Sequence, residues 1–166
     1  QLRSAGNNAQ VIEEIPAIVQ ANGKVVMASG KGPLVFANAP RASYYVAVLH
    51  RNHLGVMTFA TRTFGAAVQA LDLSDPAVTT YGTNARKTIG SISALWAGDS
   101  NGDGDLLYTG SANDRDLVLS RIGGIVPTNV VNGYYGEDVN LDGRVMYTGA
   151  ANDRDIILQN IGGIIP

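Results

Sequence analysis

The sequence predicts an α+β protein, in which an antiparallel β-sandwich precedes a pair of loop–helix repeats. Short runs rich in β-branched and aromatic residues alternate with turn signals in the first half. The second half contains GDSNGDGDLLYTGSANDRD at residues 98–116 and EDVNLDGRVMYTGAANDRD at residues 137–155. An apolar, helix-like run that ends in two glycines follows each copy, which completes the expected loop–helix unit.

The composition is that of a folded, turn-rich chain. Of the 166 residues, 45% are hydrophobic, 16% are charged and 20 are glycine, whereas disordered chains are poor in apolar residues. The sequence has no apolar window long enough to span a membrane, and QLRSAGNN lacks an initiator Met and signal-peptide regions, which predicts a processed chain or a fragment. The absence of cysteine excludes disulfides and zinc fingers.

Residues 1–71 are expected to form the sandwich, of the immunoglobulin-like (Ig-like) type. Asn22 and Gly23 lie between two apolar runs and predict a hairpin closed by a two-residue turn. The first three residues, QLR, are interpreted either as a frayed terminus or as the end of a strand whose beginning is missing or donated, which would leave an open sheet edge. Further strands are predicted at residues 34–36, 43–50 and 55–60.

Residues 72–95 are polar and turn-rich, and we interpret them as a connector to the repeat region, residues 96–166. Alignment of residues 99–127 with residues 138–166 gives 18 identities in 29 positions. Such self-similarity indicates one structural unit used twice.

Negative charge is concentrated in the repeats. The first 96 residues hold eight Lys and Arg against four Asp and Glu, whereas the rest of the chain holds four against ten. Scattered carboxylates usually form a solvated acidic surface. In this chain they recur at a fixed spacing in both copies, which favours binding of a cation.

Each copy contains DxNxDG, the opening of an EF-hand-type calcium loop. Ca²⁺ takes roughly six to eight oxygen ligands, and alternate positions of such a loop direct their oxygens to one point. In the first copy Asp99, Asn101 and Asp103 are expected to supply side-chain oxygens. Gly104 would make the sharp turn, and Asp105 would contribute its backbone carbonyl.

The second copy assigns the same roles to equivalent residues. Asp138, Asn140 and Asp142 are the expected side-chain ligands, and Gly143 makes the turn. Arg144 would contribute only its backbone carbonyl. A cationic side chain is tolerated at such a position, which supports the assignment of calcium ligands in this copy.

The closing ligand is the point at which both copies depart from an EF-hand. Glycines, Gly110 and Gly149, occupy the twelfth position, where an EF-hand has its last carboxylate. Asp116 and Asp155 each precede an apolar helix-like run and are the preferred closing ligands, which implies a six-residue insertion.

Helix capping competes with metal binding for the neighbouring residues. Asp114 and Asp153, or alternatively Asn113 and Asn152, are suitable N-caps, and a ligand role for the two aspartates stays open. The paired glycines at 123–124 and 162–163 are expected to end the two helices.

Two copies in register favour metal binding over a chance match, and two Ca²⁺ ions are expected. Without metal the carboxylates of each loop repel one another, so Ca²⁺ should order this half of the chain. Extracellular modules bind Ca²⁺ with dissociation constants of about 10⁻⁴ to 10⁻³ M, which suits the calcium concentration outside a cell.

These residues resemble a known family. The tandem DSNGDGDL…NDRDLVL and DVNLDGRV…NDRDIIL is similar to the dockerin-type calcium repeats of secreted bacterial proteins, over about residues 96–166. YYVAVLHRNHLGVMT followed by LWAGDSNGDG is similar to a C-terminal region of large bacterial cell-surface and secreted proteins. The resemblance implies an extracellular or cell-surface location, and the six-residue insertion speaks against inferring a cohesin partner. The implied calcium ligands are Asp99, Asn101, Asp103 and Asp116 in the first copy and Asp138, Asn140, Asp142 and Asp155 in the second.

Other candidate sites are weaker. His50 and His53 in HRNH could form half of a transition-metal site, but without a third His or any Cys we favour packing or hydrogen bonding at a strand end. The chain has no GxSxG, P-loop or HExxH motif, so we do not expect an enzyme. Its dispersed basic residues form no stripe, which argues against a nucleic-acid partner.

The sequence therefore predicts a non-enzymatic, extracellular calcium-binding structural module for display or assembly on a bacterial surface. The expected partner is either a second copy of the chain, joined by strand donation into a filament, or another surface protein. The alternative function is a protein- or carbohydrate-binding module that anchors a secreted protein. Trp96, Tyr134 and Tyr135 could stack on sugars, although packing at the calcium loops is the preferred role.

Overall fold

A computed structural model describes residues 1–163, which form short antiparallel strands and two short helices. This content is compatible with the predicted α+β class. The strands are β1 (Leu2–Ser4), β2 (Val11–Glu13), β3 (Ala17–Val19), β4 (Val25–Met27), β5 (Ser43–His50), β6 (His53–Met57), β7 (Arg62–Thr63), β8 (Lys87–Ile89), β9 (Ile92–Ala94), β10 (Val130–Asn132) and β11 (Arg144–Met146), and the helices are α1 (Asp114–Arg121) and α2 (Asp153–Asn160).

The largest sheet has the strand order β2-β1-β5-β6, with β7 also paired to β5. Three two-stranded sheets accompany it, formed by β3 with β4, β8 with β9 and β10 with β11. Strands β8 to β11 lie in the connector and the repeats, where we predicted no strands. Each is only three residues long, too short for a period-two pattern to be recognised.

The chain divides into two compact units that are not contiguous in sequence. Unit 1 comprises Gln1–Val48 and Met57–Gly82. Unit 2 comprises Leu49–Val56 and the described chain from Thr83 onward. The segment Leu49–Val56, the end of β5 with the turn and most of β6, is called the hairpin tip below. It belongs to the unit that contains the repeats.

Strand β1 lies inside the sheet of unit 1. Leu2 pairs with Glu13 of β2 on one side and with Val46 of β5 on the other, and its side chain is fully buried. The first residues therefore do not form the open edge considered from the sequence. The unpaired edge on this side belongs to β2.

Two other sequence predictions for unit 1 need correction. The hairpin of β3 and β4 exists, but Gln20 N–H donates to Lys24 O at 2.9 Å, so three residues close it in place of two. Gly23, with φ +79°, takes the left-handed position that such a turn requires. The strand predicted at residues 34–36 is absent, because Val35 is 56% exposed and donates its N–H to the Met27 sulfur instead of a strand.

The core of unit 2 joins the two repeats. Val118 of α1 and Ile157 of α2 occupy equivalent positions, 39 residues apart, and both are fully buried in one cluster with Ile122, Val139 and Val145. Both helices end just before the paired glycines, as predicted. Among the described residues no helix is long and apolar enough to cross a membrane.

Candidate metal centres

Each repeat presents its acidic residues on a loop that leads into a helix. We call residues 99–116 loop 1 and residues 138–155 loop 2. The N-caps of the helices are Asn113 and Asn152, whose side-chain oxygens accept from Asp116 N–H and Asp155 N–H, each at 3.0 Å. Of the two capping alternatives, the asparagines are therefore the caps.

Asp114, the first residue of α1, is fully buried and holds loop 1 together. Its Oδ1 accepts from Ser100 N–H at 2.7 Å and from Asn101 N–H at 3.4 Å, and its Oδ2 accepts from Leu107 N–H at 2.8 Å. The carboxylate thus bridges the beginning of the loop and its far side. Burial raises the pKa of Asp114, and these amide donors partly oppose that shift.

Asp153 makes the same bridge in loop 2. It accepts from Val139 N–H at 2.7 Å, from Asn140 N–H at 3.2 Å and from Met146 N–H at 2.8 Å, and it is fully buried. Burial raises the pKa of Asp153 to about 6, and the charge of Asp138 adds to the shift. The first aspartate of each NDRD segment is therefore a brace for the loop backbone.

The structure places Asp116 and Asp155, the predicted closing ligands, beside arginines. Arg115 Nη2 lies 2.8 Å from Asp116 Oδ1, and Arg154 Nη2 lies 2.8 Å from Asp155 Oδ1. The second carboxylate oxygen of each accepts from the cap asparagine, at 2.9 Å for Asp116 and 2.7 Å for Asp155. The Asn113 hydrogen bond, with help from Arg115, lowers the pKa of Asp116.

Within residues 1–163, no group of three His, Asp or Glu side chains converges in a form that could hold a metal ion. The ligand roles of Asp116 and Asp155 consequently stay predictions. Any cation in these loops would depend on asparagine and backbone oxygens together with a small number of carboxylates.

The DxNxDG segment folds as successive side-chain turns. Asn101 Oδ1 accepts from Asp103 N–H and Asp103 Oδ1 accepts from Asp105 N–H, each at 2.9 Å. Asn101 Nδ2 donates to Ala112 O at 2.8 Å, which ties the start of loop 1 to the residue before its cap. The Asp105 side chain is exposed, so this position can offer its carbonyl without burying a charge.

Loop 2 repeats this arrangement. Asn140 Oδ1 accepts from Asp142 N–H and Asp142 Oδ1 accepts from Arg144 N–H, each at 2.9 Å. Asn140 Nδ2 donates to Ala151 O at 2.7 Å. The Arg144 side chain is exposed, like that of Asp105.

Both loops carry one strained alanine, and loop 2 has a further left-handed residue, Leu141 with φ +63°, where loop 1 has Gly102. Ala112 and Ala151, at equivalent positions, each have φ +57°, a left-handed conformation that costs a residue other than glycine about 1 to 2 kcal/mol. The carbonyls of these two alanines are the acceptors for the loop asparagines described above. Such strain persists where the surrounding contacts determine the conformation, which indicates that the loop shape itself is needed.

The loops differ at the first aspartate. Asp99 is 5% exposed, and its Oδ2 accepts from Gly104 N–H at 3.2 Å. Its buried Oδ1 has no hydrogen-bond partner among the described residues. Burial raises the pKa of Asp99, because an ionised carboxylate is poorly solvated there, and the backbone amides of Gly104, Gly102 and Asp103 partly oppose that shift.

Both oxygens of Asp138 have partners. Oδ1 accepts from Asp142 N–H at 3.0 Å, and Oδ2 accepts from Gly143 N–H at 3.2 Å. Arg51 of the hairpin tip adds an ion pair, with its Nη2 at 3.3 Å from Asp138 Oδ2. Asn52 Nδ2 donates to Asp138 O at 2.6 Å.

Sequence reasoning missed the hairpin tip as part of this site. Asn52 is fully buried, and its carbonyl accepts from Gly98 N–H at 2.9 Å, next to the start of loop 1. The adjacent histidines contact each other, with His50 Nδ1 and His53 Nδ1 3.0 Å apart. Burial, aided by the charges of His50 and Arg51, lowers the pKa of His53 to about 4.

The donor set of loop 1 fits a hard cation. Carboxylate and carbonyl oxygens are the ligands that Ca²⁺ prefers, and Asp99 supplies a buried carboxylate oxygen that no group of the described protein satisfies. Asp103 lies four positions later with its side chain at the exposed side of the same loop. Loop 2 has the same residue types, but Arg51 already neutralises its first aspartate.

Comparison with known proteins finds no match to a family model, to a curated protein or to a solved structure.

Proposed function

We propose that unit 2 is a calcium-binding structural module built from a dockerin-like pair of loop–helix repeats. The observation that carries the proposal is the buried, unpartnered Oδ1 of Asp99 in a loop with the DxNxDG pattern. The repetition of the loop, of its aspartate brace and of its strained alanine supports a shared role for both copies.

An unsatisfied buried carboxylate oxygen is unfavourable. Leaving a charged acceptor without a partner costs more than the roughly 1 to 3 kcal/mol of an unsatisfied neutral group. Protonation would relieve it, and the raised pKa of Asp99 shows that tendency. A divalent cation relieves it at neutral pH without protonation, and it also offsets the repulsion between Asp99 and the nearby Asp114 carboxylate.

When bound, the ion supplies only positive charge and coordination. Asp99 and Asp103 would contribute carboxylate oxygens, Asn101 its amide oxygen and Asp105 its carbonyl. In loop 2 the corresponding residues are Asp138, Asn140, Asp142 and Arg144. Asp114 and Asp153 keep their backbone amides and fix the loop shape for the ion.

The consequence of binding is stability. An ion that binds only the folded state at ten times its dissociation constant adds about 1.4 kcal/mol per site. Extracellular calcium, in the millimolar range, suits the affinity of such modules, so the proposed location is the outside of a bacterial cell. There the chain would act in surface display or assembly without catalysing a reaction.

Thermal unfolding tests the proposal. Trp96 lies in unit 2 and donates its indole N–H to Asn84 O, so its fluorescence reports on this unit. We expect the unfolding temperature in EDTA to rise as Ca²⁺ is added, and Asp99→Asn to remove a large part of the rise. Asp105→Asn is the matched control, because that exposed side chain contributes no ligand.

Absence of a calcium-dependent shift in the wild-type protein would reject the proposal. An undiminished shift in Asp99→Asn would reject loop 1 as the site. A shift produced equally by Mg²⁺ would point to general screening of the acidic repeats, because Mg²⁺ demands a tighter octahedral geometry than this loop offers.

Assembly through strand addition is a second candidate, favoured by the edge of the sheet in unit 1. Strand β2 is paired on one side by β1, and its residues Val11 and Ile12 are 43% and 37% exposed. An exposed apolar edge strand is a template for a strand from a second copy. We further propose that unit 1 is sandwich-like, with the hairpin of β3 and β4 forming a second layer through the buried Val26.

Analytical ultracentrifugation with and without Ca²⁺ tests the assembly. We expect oligomers that Ile12→Lys abolishes, since a charge on an edge strand blocks pairing. Val35→Lys is the control, because Val35 is more exposed than Ile12 but lies outside any strand. Monomers in every condition, or oligomers insensitive to Ile12→Lys, would reject strand addition at this edge.

A further inference from the structure

Loops 1 and 2 share the contacts of their braces, their helix caps and their arginine pairs. The braces Asp114 and Asp153 each accept from three loop amides, and each helix has an asparagine cap. The second aspartate of each NDRD segment pairs with the arginine before it at 2.8 Å. None of these contacts can make one loop a better cation site than the other.

Loop 2 has two contacts at the side chain of its first aspartate that loop 1 lacks, the hydrogen bond from Asp142 N–H to Asp138 Oδ1 and the ion pair with Arg51. Only Arg51 brings a positive charge. Its guanidinium is held at loop 2 by three contacts: Nε donates to Tyr135 O at 3.0 Å, the Tyr134 ring centre lies 3.6 Å from the guanidinium carbon, and Nη2 lies 3.3 Å from Asp138 Oδ2. The side chains of Arg51 and Asp138 are only 19% and 2% exposed. Desolvation strengthens this attraction relative to a surface ion pair, and the tyrosine contacts fix its geometry.

The first aspartate of loop 1 is in a different state. Oδ1 of Asp99 is buried without a hydrogen-bond partner among the described residues, so its demand for a cation is unmet. Asp138 occupies the equivalent position in loop 2, with both oxygens accepting hydrogen bonds and a guanidinium beside one of them. A cation entering loop 1 would therefore gain more interaction energy at the first aspartate than a cation entering loop 2.

We infer that Arg51 is a built-in counter-cation of loop 2 and makes the two loops unequal calcium sites, with loop 1 the tighter. This inference rests on the proposed calcium function. A Ca²⁺ ion entering loop 2 must share Asp138 with a positive charge or displace Arg51 from it, whereas an ion entering loop 1 satisfies a vacant oxygen. Calcium binding at loop 2 is therefore a competition between an external and an internal cation.

Arg51→Met should lower the stability of the protein without calcium and raise the calcium affinity of loop 2. Without calcium, Arg51→Met leaves Asp138 buried beside no cation, so the unfolding temperature in EDTA should fall. With calcium, the same change removes the competing charge, so loop 2 should bind Ca²⁺ at least about tenfold more tightly, as expected for a close charge pair. A residue with only a structural role would weaken both the fold and the calcium site.

Isothermal titration calorimetry of the full chain with CaCl₂ is the test. In the wild type we expect one tighter and one weaker site. Asp99→Asn should abolish the tighter site and leave the weaker one, and Asp138→Asn should do the reverse. In the Asp99→Asn background, which isolates loop 2, Arg51→Met should strengthen binding, whereas Arg144→Met, which removes an exposed arginine from the same loop, should change it less.

Two sites of equal affinity, or loss of the tighter site in Asp138→Asn, would overturn the inference. Unchanged or weaker loop 2 binding in Arg51→Met would also overturn it while leaving the calcium function intact. The comparison of Asp99→Asn with Asp138→Asn tests the inference even if the Arg51 variant does not fold. A chain that binds no Ca²⁺ in the wild type would instead reject the proposed function itself, together with this inference.

Discussion

Loops 1 and 2 have nearly the same sequence and the same braces and helix caps, yet they differ at their first carboxylate. Asp99 has an unpartnered oxygen, whereas Asp138 has an arginine. That arginine comes from the hairpin tip, 87 positions earlier in the chain. A repeated motif therefore specifies the shape of a loop, and a residue outside the repeat changes the charge environment of its first carboxylate.

The largest expected effect tests whether the two loops are braced equally. Asp114→Asn and Asp153→Asn each replace a carboxylate that accepts from three backbone amides with a group that offers only one acceptor oxygen. We expect each variant to lose about 3 to 5 kcal/mol in the free energy of unfolding, as for other broken buried charge networks. Urea denaturation in EDTA measures both losses.

Asp116→Asn is the control for that comparison. Asp116 is 55% exposed and paired with Arg115, so its loss should cost about 1 kcal/mol or less. A cost for Asp114→Asn no greater than for this control would show that the buried carboxylate does not brace loop 1. A large difference between Asp114→Asn and Asp153→Asn would break the equivalence of the two loops.

An intermediate effect on stability is expected for the residues that immediately precede the two loops. Gly98, at the start of loop 1, has φ +123°, and an added Cβ would lie 3.2 Å from Ile157 Cγ1. Gly98→Ala should therefore cost about 1 to 3 kcal/mol through backbone strain and crowding. The equivalent residue in loop 2 is Glu137, and Glu137→Ala should cost less because it removes an ion pair with the 40% exposed Arg121. Equal losses of stability in urea would contradict this asymmetry.

The smallest expected effect concerns the hairpin tip. The folded-state pKa of His53, about 4, lies below its usual value of 6.5, so the folded state disfavours protonation. The contribution of neutral His53 is complete above pH 6.5 and is lost as the pH falls from 6.5 through 4. The difference in unfolding temperature between the wild type and His53→Gln, measured in EDTA, should shift in favour of the variant across this window. A constant difference from pH 7 to pH 4 would contradict the half-buried, neutral state of His53.

The sequence could predict features that depend on neighbours in the chain. The DxNxDG turns form between residues two apart, as in Asn101 and Asp103, and the helices end at glycine pairs. The turns and the helix ends depend on hydrogen bonds and backbone conformations of residues close in sequence, which a short motif determines. The same holds for the long strand β5, whose bounds match the apolar run.

The roles of the two aspartates in each NDRD segment depend on which residue begins the helix. The sequence allowed either the asparagine or the first aspartate to be the N-cap. Residues two apart on a helix do not share a face, so only one of Asp114 and Asp116 can point back into the loop. With Asn113 as the N-cap, Asp116 takes the third helical position and bonds the cap, while Asp114 faces the loop. The pattern N-x-x-D is close to a capping box and is the signal that would have assigned both.

Long-range contacts could not be predicted in this way. The ion pair of Arg51 with Asp138 and the place of β1 inside its sheet depend on residues separated by 87 and about 44 positions. No local pattern in HRNH distinguishes an arginine that will meet a buried carboxylate from one that stays in solvent. Such pairings are set by the overall chain path.

The discontinuity of unit 2 has a consequence for how this protein reaches its native state. The hairpin tip is synthesised long before the loops that it joins, and the contact of Asn52 with Asp138 closes 86 residues of chain. Closing a loop of that size costs chain entropy, which contacts formed at the closure must offset. A fragment that begins at Thr83 would carry both DxNxDG motifs and would lack Arg51 and Asn52, which contact Asp138 of the second motif.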